Sequence, residues 1–137
     1  AEMHLRKCLD AEKNKRMQCL TTCLSIKCII SQGRAGEGIE LYESLCKDNE
    51  ARKYISGLEL HTISRSLIDQ KHYRSVIRMI KESLDVIGGN WTKEEQIPVY
   101  DLLCWSYMCL NDYEASLKYC KKKIMLAEET KDKKNQV

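Results

Sequence analysis

The stretch Trp105-Ser106-Tyr107-Met108-Cys109-Leu110-Asn111-Asp112-Tyr113-Glu114-Ala115-Ser116-Leu117-Lys118-Tyr119 decides the fold. It begins in an apolar run with helical spacing. It breaks at Asn111-Asp112, two residues that favour turns over helix interiors. It then resumes with Ser116, Leu117 and Cys120 on one face of a second helix. Two helices joined by so short a break form a hairpin whose apolar stripes face each other.

The same arrangement occurs twice more. Gly33-Arg34-Ala35 and Lys71-His72-Tyr73 hold the place of Asn111-Asp112-Tyr113. Ala35 to Tyr73 is 38 residues, and Tyr73 to Tyr113 is 40. After the three breaks stand Gly38, Ile39 and Tyr42, then Val76, Ile77 and Ile80, then Ser116, Leu117 and Cys120. Before them stand Ile26 and Ile29, Ser64 and Leu67, Cys104 and Tyr107. A fixed period of this length is the signature of a helical repeat array.

Periodicity predicts about seven helices, over 1–11, 13–32, 35–47, 50–69, 72–86, 93–110 and 113–130. Asp48 or Asn49 is expected to cap the fourth. Gly88-Gly89 ends the fifth. Thr92 with Glu95 makes a capping box for the sixth. Pro98 would cost a hydrogen bond inside that helix, so a loose turn over 93–96 and a regular helix from 97 are expected. Repeats then cover 13–47, 50–87 and 93–130, all in one domain spanning 1–137. Residues 1–12 read as the tail of a preceding repeat, which marks the chain as an excerpt of a longer protein.

Composition agrees with an all-α chain. Pro occurs once, Gly six times and Phe not at all in 137 residues. Charged residues are 31% of the chain, and no apolar run approaches the roughly 20 residues a membrane span needs. The net charge of +3 is too small for a nucleic-acid reading. The basic runs Lys121–Lys123 and Lys131, Lys133, Lys134 read as solvated faces without an aromatic platform.

The eight cysteines stand at 8, 19, 23, 28, 46, 104, 109 and 120, with no C-x-x-C pair. They read as reduced thiols packed as small hydrophobes, in a cytoplasmic or nuclear protein. No Gly-rich phosphate loop, H-E-x-x-H or paired carboxylates occur, and His4, His61 and His72 are scattered. No catalytic residue, metal ligand or cofactor is therefore expected.

The opening stretch resembles the tetratricopeptide repeat (TPR) core, A-Y-x-x-L-G-D-Y-x-x-A-L-x-Y. The repeat length exceeds the usual 34 and is similar to the long repeats of Leu-Gly-Asn polarity adaptors, rapsyn and tonsoku-like proteins. The family places small residues where paired helices meet. Ile26, Ser64 and Cys104 hold one such point, and Gly38, Val76 and Ser116 the other. Ile26 and Val76 depart from the pattern. The resemblance implies a right-handed superhelix of antiparallel helix pairs, a TPR-like α-solenoid acting as a scaffold or adaptor. Its concave face would bind a partner peptide or helix with acidic residues.

In the family's geometry that face falls near Leu20, Cys23, Lys27 and Ile30, then Leu58, His61, Arg65 and Ile68, then Asp101, Trp105 and Met108. Lys27 and Arg65 would meet carboxylates. Ile68 and Trp105 would anchor apolar groups. Cys23 and Lys27 do not match the carboxylate-clamp set of chaperone-binding arrays. The competing expectation is a structural segment that stacks on further repeats or self-associates, its groove incidental.

Overall fold

A computed structural model describes residues 2–135, with side chains through Asp132. Ala1, and the side chains of Lys133 and Lys134, fall outside the described residues. The described chain is all-helical, with no strand. Six α-helices follow one another: α1 (Glu2–Ser31), α2 (Ala35–Lys47), α3 (Gly57–Asp69), α4 (Tyr73–Val86), α5 (Lys93–Cys109) and α6 (Tyr113–Asn135). Short 3₁₀ turns cover Arg52–Tyr54 and Gly88–Asn90.

The count is six rather than seven because α1 is continuous through the expected break near Glu12. Nothing between Glu2 and Ser31 stops a helix: the segment has no Gly or Pro and is rich in Leu, Lys, Arg, Glu and Met. Its first half is exposed, and packing begins at Cys19.

The three expected reversals share one geometry. Gly33, Lys71 and Asn111 have φ of 84°, 64° and 63°. Each donates its N–H to the carbonyl three residues back, at Ile30, Ile68 and Met108, over 2.8–3.0 Å. The next residue, Arg34, His72 or Asp112, reaches five back to Ile29, Leu67 or Tyr107. This bond pair is the Schellman cap, which satisfies the last carbonyls of a helix and turns the chain away.

The expected fourth helix over 50–69 is broken. Asp48 Oδ1 accepts from the N–H groups of Glu50 and Ala51 at 3.0 and 3.2 Å and folds them into a turn. The 3₁₀ turn follows, and α3 starts only after Ser56. Ser56 and Glu59 form a reciprocal capping box there.

Thr92 and Glu95 cap α5 as expected. The helix is regular from Lys93, however, and contains Pro98, so the loose turn over 93–96 is not found. The bond Pro98 cannot make would have gone to the carbonyl of Glu94, an exposed residue that water can serve. Trp91, buried just before this cap, donates from Nε1 to the Ile55 carbonyl at 2.8 Å and ties the starts of α3 and α5 together.

Packing runs from each odd-numbered helix to the next. α1 contacts α2 and α3; α3 contacts α4 and α5; α5 contacts α4 and α6. Where helices meet, residue sizes balance. Gly38 lies against the Ile30 side chain and the Ile26 carbonyl. Ser116 Oγ donates to the Cys104 carbonyl at 2.9 Å, and the Cys104 thiol reaches the Ser116 carbonyl at 3.1 Å. Ser64 and Val76, at the corresponding places of α3 and α4, are both fully buried. Tyr42 joins α2 to α4 by a buried 2.7 Å hydrogen bond to Ser83.

Five substitutions test this description by chemical denaturation. Lys71→Gly is expected to stabilise by roughly 0.5–1 kcal/mol, since a side chain in the left-handed region is strained. Asn111→Gly should gain less, because Asn tolerates that region. A destabilised Lys71→Gly would refute the turn geometry.

Gly57→Ala should destabilise by about 1–3 kcal/mol. An added Cβ would sit 2.5 Å from the Glu95 carbonyl oxygen, a backbone atom that cannot swing away. Gly36→Ala, with nothing within 4 Å, serves as the control and should be neutral or stabilising.

Ser64→Ala should hold or raise the denaturation midpoint. The Ser64 hydroxyl is buried without a hydrogen-bond partner, and its removal relieves that penalty.

Candidate functional site

α3, α5 and α6 enclose an open cleft of about 560 Å³. Of the eleven residues expected on the partner-binding face, five line it: Arg65, Ile68, Asp101, Trp105 and Met108. They meet because α5 packs along α3 with its Asp101, Trp105 and Met108 side outward, at the helical spacing of i, i+4 and i+7.

Trp105 is 51% exposed and Met108 45%, so neither is consumed in the core. Ile68 differs from expectation. It is only 8% exposed, because α5 covers it, and it edges the cleft rather than offering an anchor.

Charge alternates around the apolar centre. Arg65 Nε lies 3.7 Å from Asp69 on α3, both side chains mostly solvated. Lys123 Nζ lies 2.8 Å from Asp101 and links α6 to α5. That contact raises the Lys123 pKa. Beyond the Asp101–Lys123 pair a second cleft of about 570 Å³ continues along α5 and α6, lined by Ile97, Pro98, Ile124 and Ala127. Exposed pairs of this kind contribute little to stability and are easily exchanged for a partner's charges.

The six others lie apart. Lys27 borders a smaller cleft of about 230 Å³ between α1 and α3, with Leu20, Cys23, Leu24 and Leu58. His61 lines neither and is half-buried on α3. Burial and then the Arg65 guanidinium hold its imidazole below the usual 6.5, with Asp101 opposing. Ile30, also expected on this face, is fully buried.

Sequence reading missed Asp69, Cys120 and Lys123 on the wall of the main cleft. Asp69 sits one helical turn from Arg65. Only the docking of α6 on α5 brings Cys120 and Lys123 to Asp101.

The reading of Lys121–Lys123 as lacking an aromatic platform is corrected. Tyr119 stacks between Tyr107, at 5.6 Å and 3°, and Tyr100, at 6.2 Å and 22°. The Lys118 ammonium sits 5.3 Å from the Tyr119 ring centre. Tyr100 and Tyr107 come from α5, so the sequence around the lysines does not contain the stack.

All eight cysteines are free thiols. Burial pushes the Cys23 thiol up to about 12, so it stays protonated at neutral pH. Among the described residues no three His, Cys, Asp or Glu side chains stand close enough to hold a metal ion. No described helix is long and apolar enough to cross a membrane. Comparison with family models, curated proteins and solved structures finds no match for the chain.

His61 gives a direct check on the electrostatics of this face. Its lowered pKa means that folding favours the neutral ring. The stability it contributes is present above about 6.5 and is lost as pH falls through the folded value. Arg65→Ala should raise the His61 pKa toward 6.5, and Asp101→Asn should lower it further, both read by NMR titration of the ring protons. An unmoved His61 in both variants would separate it from this face.

Proposed function

We propose that the six helices form three antiparallel pairs of a right-handed TPR-like superhelix, and that the chain is a protein–protein interaction scaffold. Its partner is a peptide or helix laid along the exposed side of α3, α5 and α6. The observation that carries this reading is the cleft around Trp105 and Met108, an exposed aromatic and a flexible thioether between unlike charges. Trp and Arg are the residue types that most often dominate binding energy, and Met adapts its shape to varied apolar groups. A partner with acidic residues would draw Arg65 from Asp69 and Lys123 from Asp101. Free thiols fit a cytoplasmic or nuclear setting, where they stay reduced.

A second reading has its own support. Equivalent positions become progressively barer along the chain: Ile30 is 0% exposed, Ile68 8% and Met108 45%. Ile39 is 9% exposed, and its counterpart Leu117 is 56%. The face that α3 and α4 cover on α1–α2 is therefore open on α5–α6, as in a segment of a larger assembly.

Arg65→Glu combined with Trp105→Ala is expected to weaken partner capture about tenfold, the effect of losing a hot spot of 1–2 kcal/mol. The double variant and wild type are compared side by side in pull-downs and then by calorimetry, with circular dichroism to confirm helicity. Equal affinity with intact helicity would end the cleft assignment. Light scattering over a concentration series distinguishes the second reading, for which a tight symmetric dimer is expected.

A further inference from the structure

The opposite flank of α6 carries a site of different character, independent of the cleft around Trp105. Tyr100, Lys118, Tyr119, Lys121, Lys122 and Met125 enclose an open groove of about 380 Å³. None of them borders either cleft on the Asp101 side.

The floor is apolar and fixed. Tyr119 is held between Tyr100 and Tyr107, and Met125 is 45% exposed beside it. The rim is cationic. Lys118, Lys121 and Lys122 follow i, i+3, i+4 spacing, so one side of α6 presents three ammonium groups. Among the described residues none of the three is in a salt bridge, while Lys93 and Lys123 are taken by Glu129 and Asp101. Asp85 is the acidic group felt at Tyr100 from α4. Burial is the main cause that raises the Tyr100 pKa, so its phenol stays neutral and able to donate a hydrogen bond.

We infer that this groove binds an acidic peptide segment carrying one apolar anchor. The lysines meet its carboxylates, and the anchor enters between Tyr119 and Met125. Charge complementarity selects an acidic occupant. A peptide is favoured over single-stranded nucleic acid: bases bind by stacking on aromatic faces, and the Tyr119 ring is already flanked by Tyr100 and Tyr107 and approached by the Lys118 ammonium.

The test is fluorescence anisotropy with a labelled peptide of about twelve alternating Glu and Ser residues and one central Leu, a length suited to an extended segment. Saturable binding is expected at low salt, weakening at physiological salt. The K118E/K121E/K122E variant should bind about tenfold more weakly. Met125→Glu, and removal of the Leu from the peptide, should each weaken binding several-fold.

K7E/K13E/R16E makes the same change of net charge on the exposed start of α1 and should leave binding intact. The Arg65→Glu, Trp105→Ala variant should also bind normally, which keeps this site separable from the other cleft. Undiminished binding by the triple-lysine variant would overturn the proposal. So would tighter binding of an oligothymidylate of equal charge, or a dimer that the same three substitutions abolish.

Discussion

Everything in this fold depends on three residues that leave the right-handed half of conformational space. At Gly33, Lys71 and Asn111 the backbone turns left-handed and the last carbonyls of one helix are bonded off. The next helix must then run back along the one before it. Every later contact follows from where that reversal falls. It sets Gly38 against Ile30 and Ser116 against Cys104. Gln70, at the end of α3, donates its side-chain amide to the Ile30 carbonyl and fastens one reversal to the next. Only Gly adopts this geometry without strain, so Lys71 holds it under tension supplied by the packing around it.

Much of this was legible. Gly33 and Asn111 are residue types with a physical reason to end a helix, and the 38- and 40-residue intervals placed Lys71 beside them. Thr92 and Glu95 announced a helix start that the structure contains. Ser56 and Glu59 carry the same announcement, with Gly57 beside them, but the helical periodicity over 50–69 runs straight through them. What broke that run was the Asp48 side chain competing for backbone N–H groups. Pro98 misled in the other direction. The hydrogen-bond part of its penalty is large only where the orphaned carbonyl is dry, and dryness is a tertiary property.

The cleft was half legible for a similar reason. Helical spacing puts Asp101, Trp105 and Met108 on one face whatever surrounds them. Whether that face is open depends on what packs next to it. Ile30 and Ile68 share its register, yet both are buried. Contacts across helices, such as Asp101 with Lys123 or Tyr119 between two other tyrosines, join residues with no short-range relation. No reading of one helix at a time reaches them.

The size balance at the helix crossings bears on how such a chain changes over time. Where α1 meets α2, a bulky Ile26 stands with a Gly38 that has no side chain. The corresponding places hold Ser64 with Val76, then Cys104 with Ser116. Close packing at these points constrains combined volume, so a larger residue on one helix is accommodated by a smaller one on the other. Each crossing can therefore exchange its residues in pairs and keep its geometry.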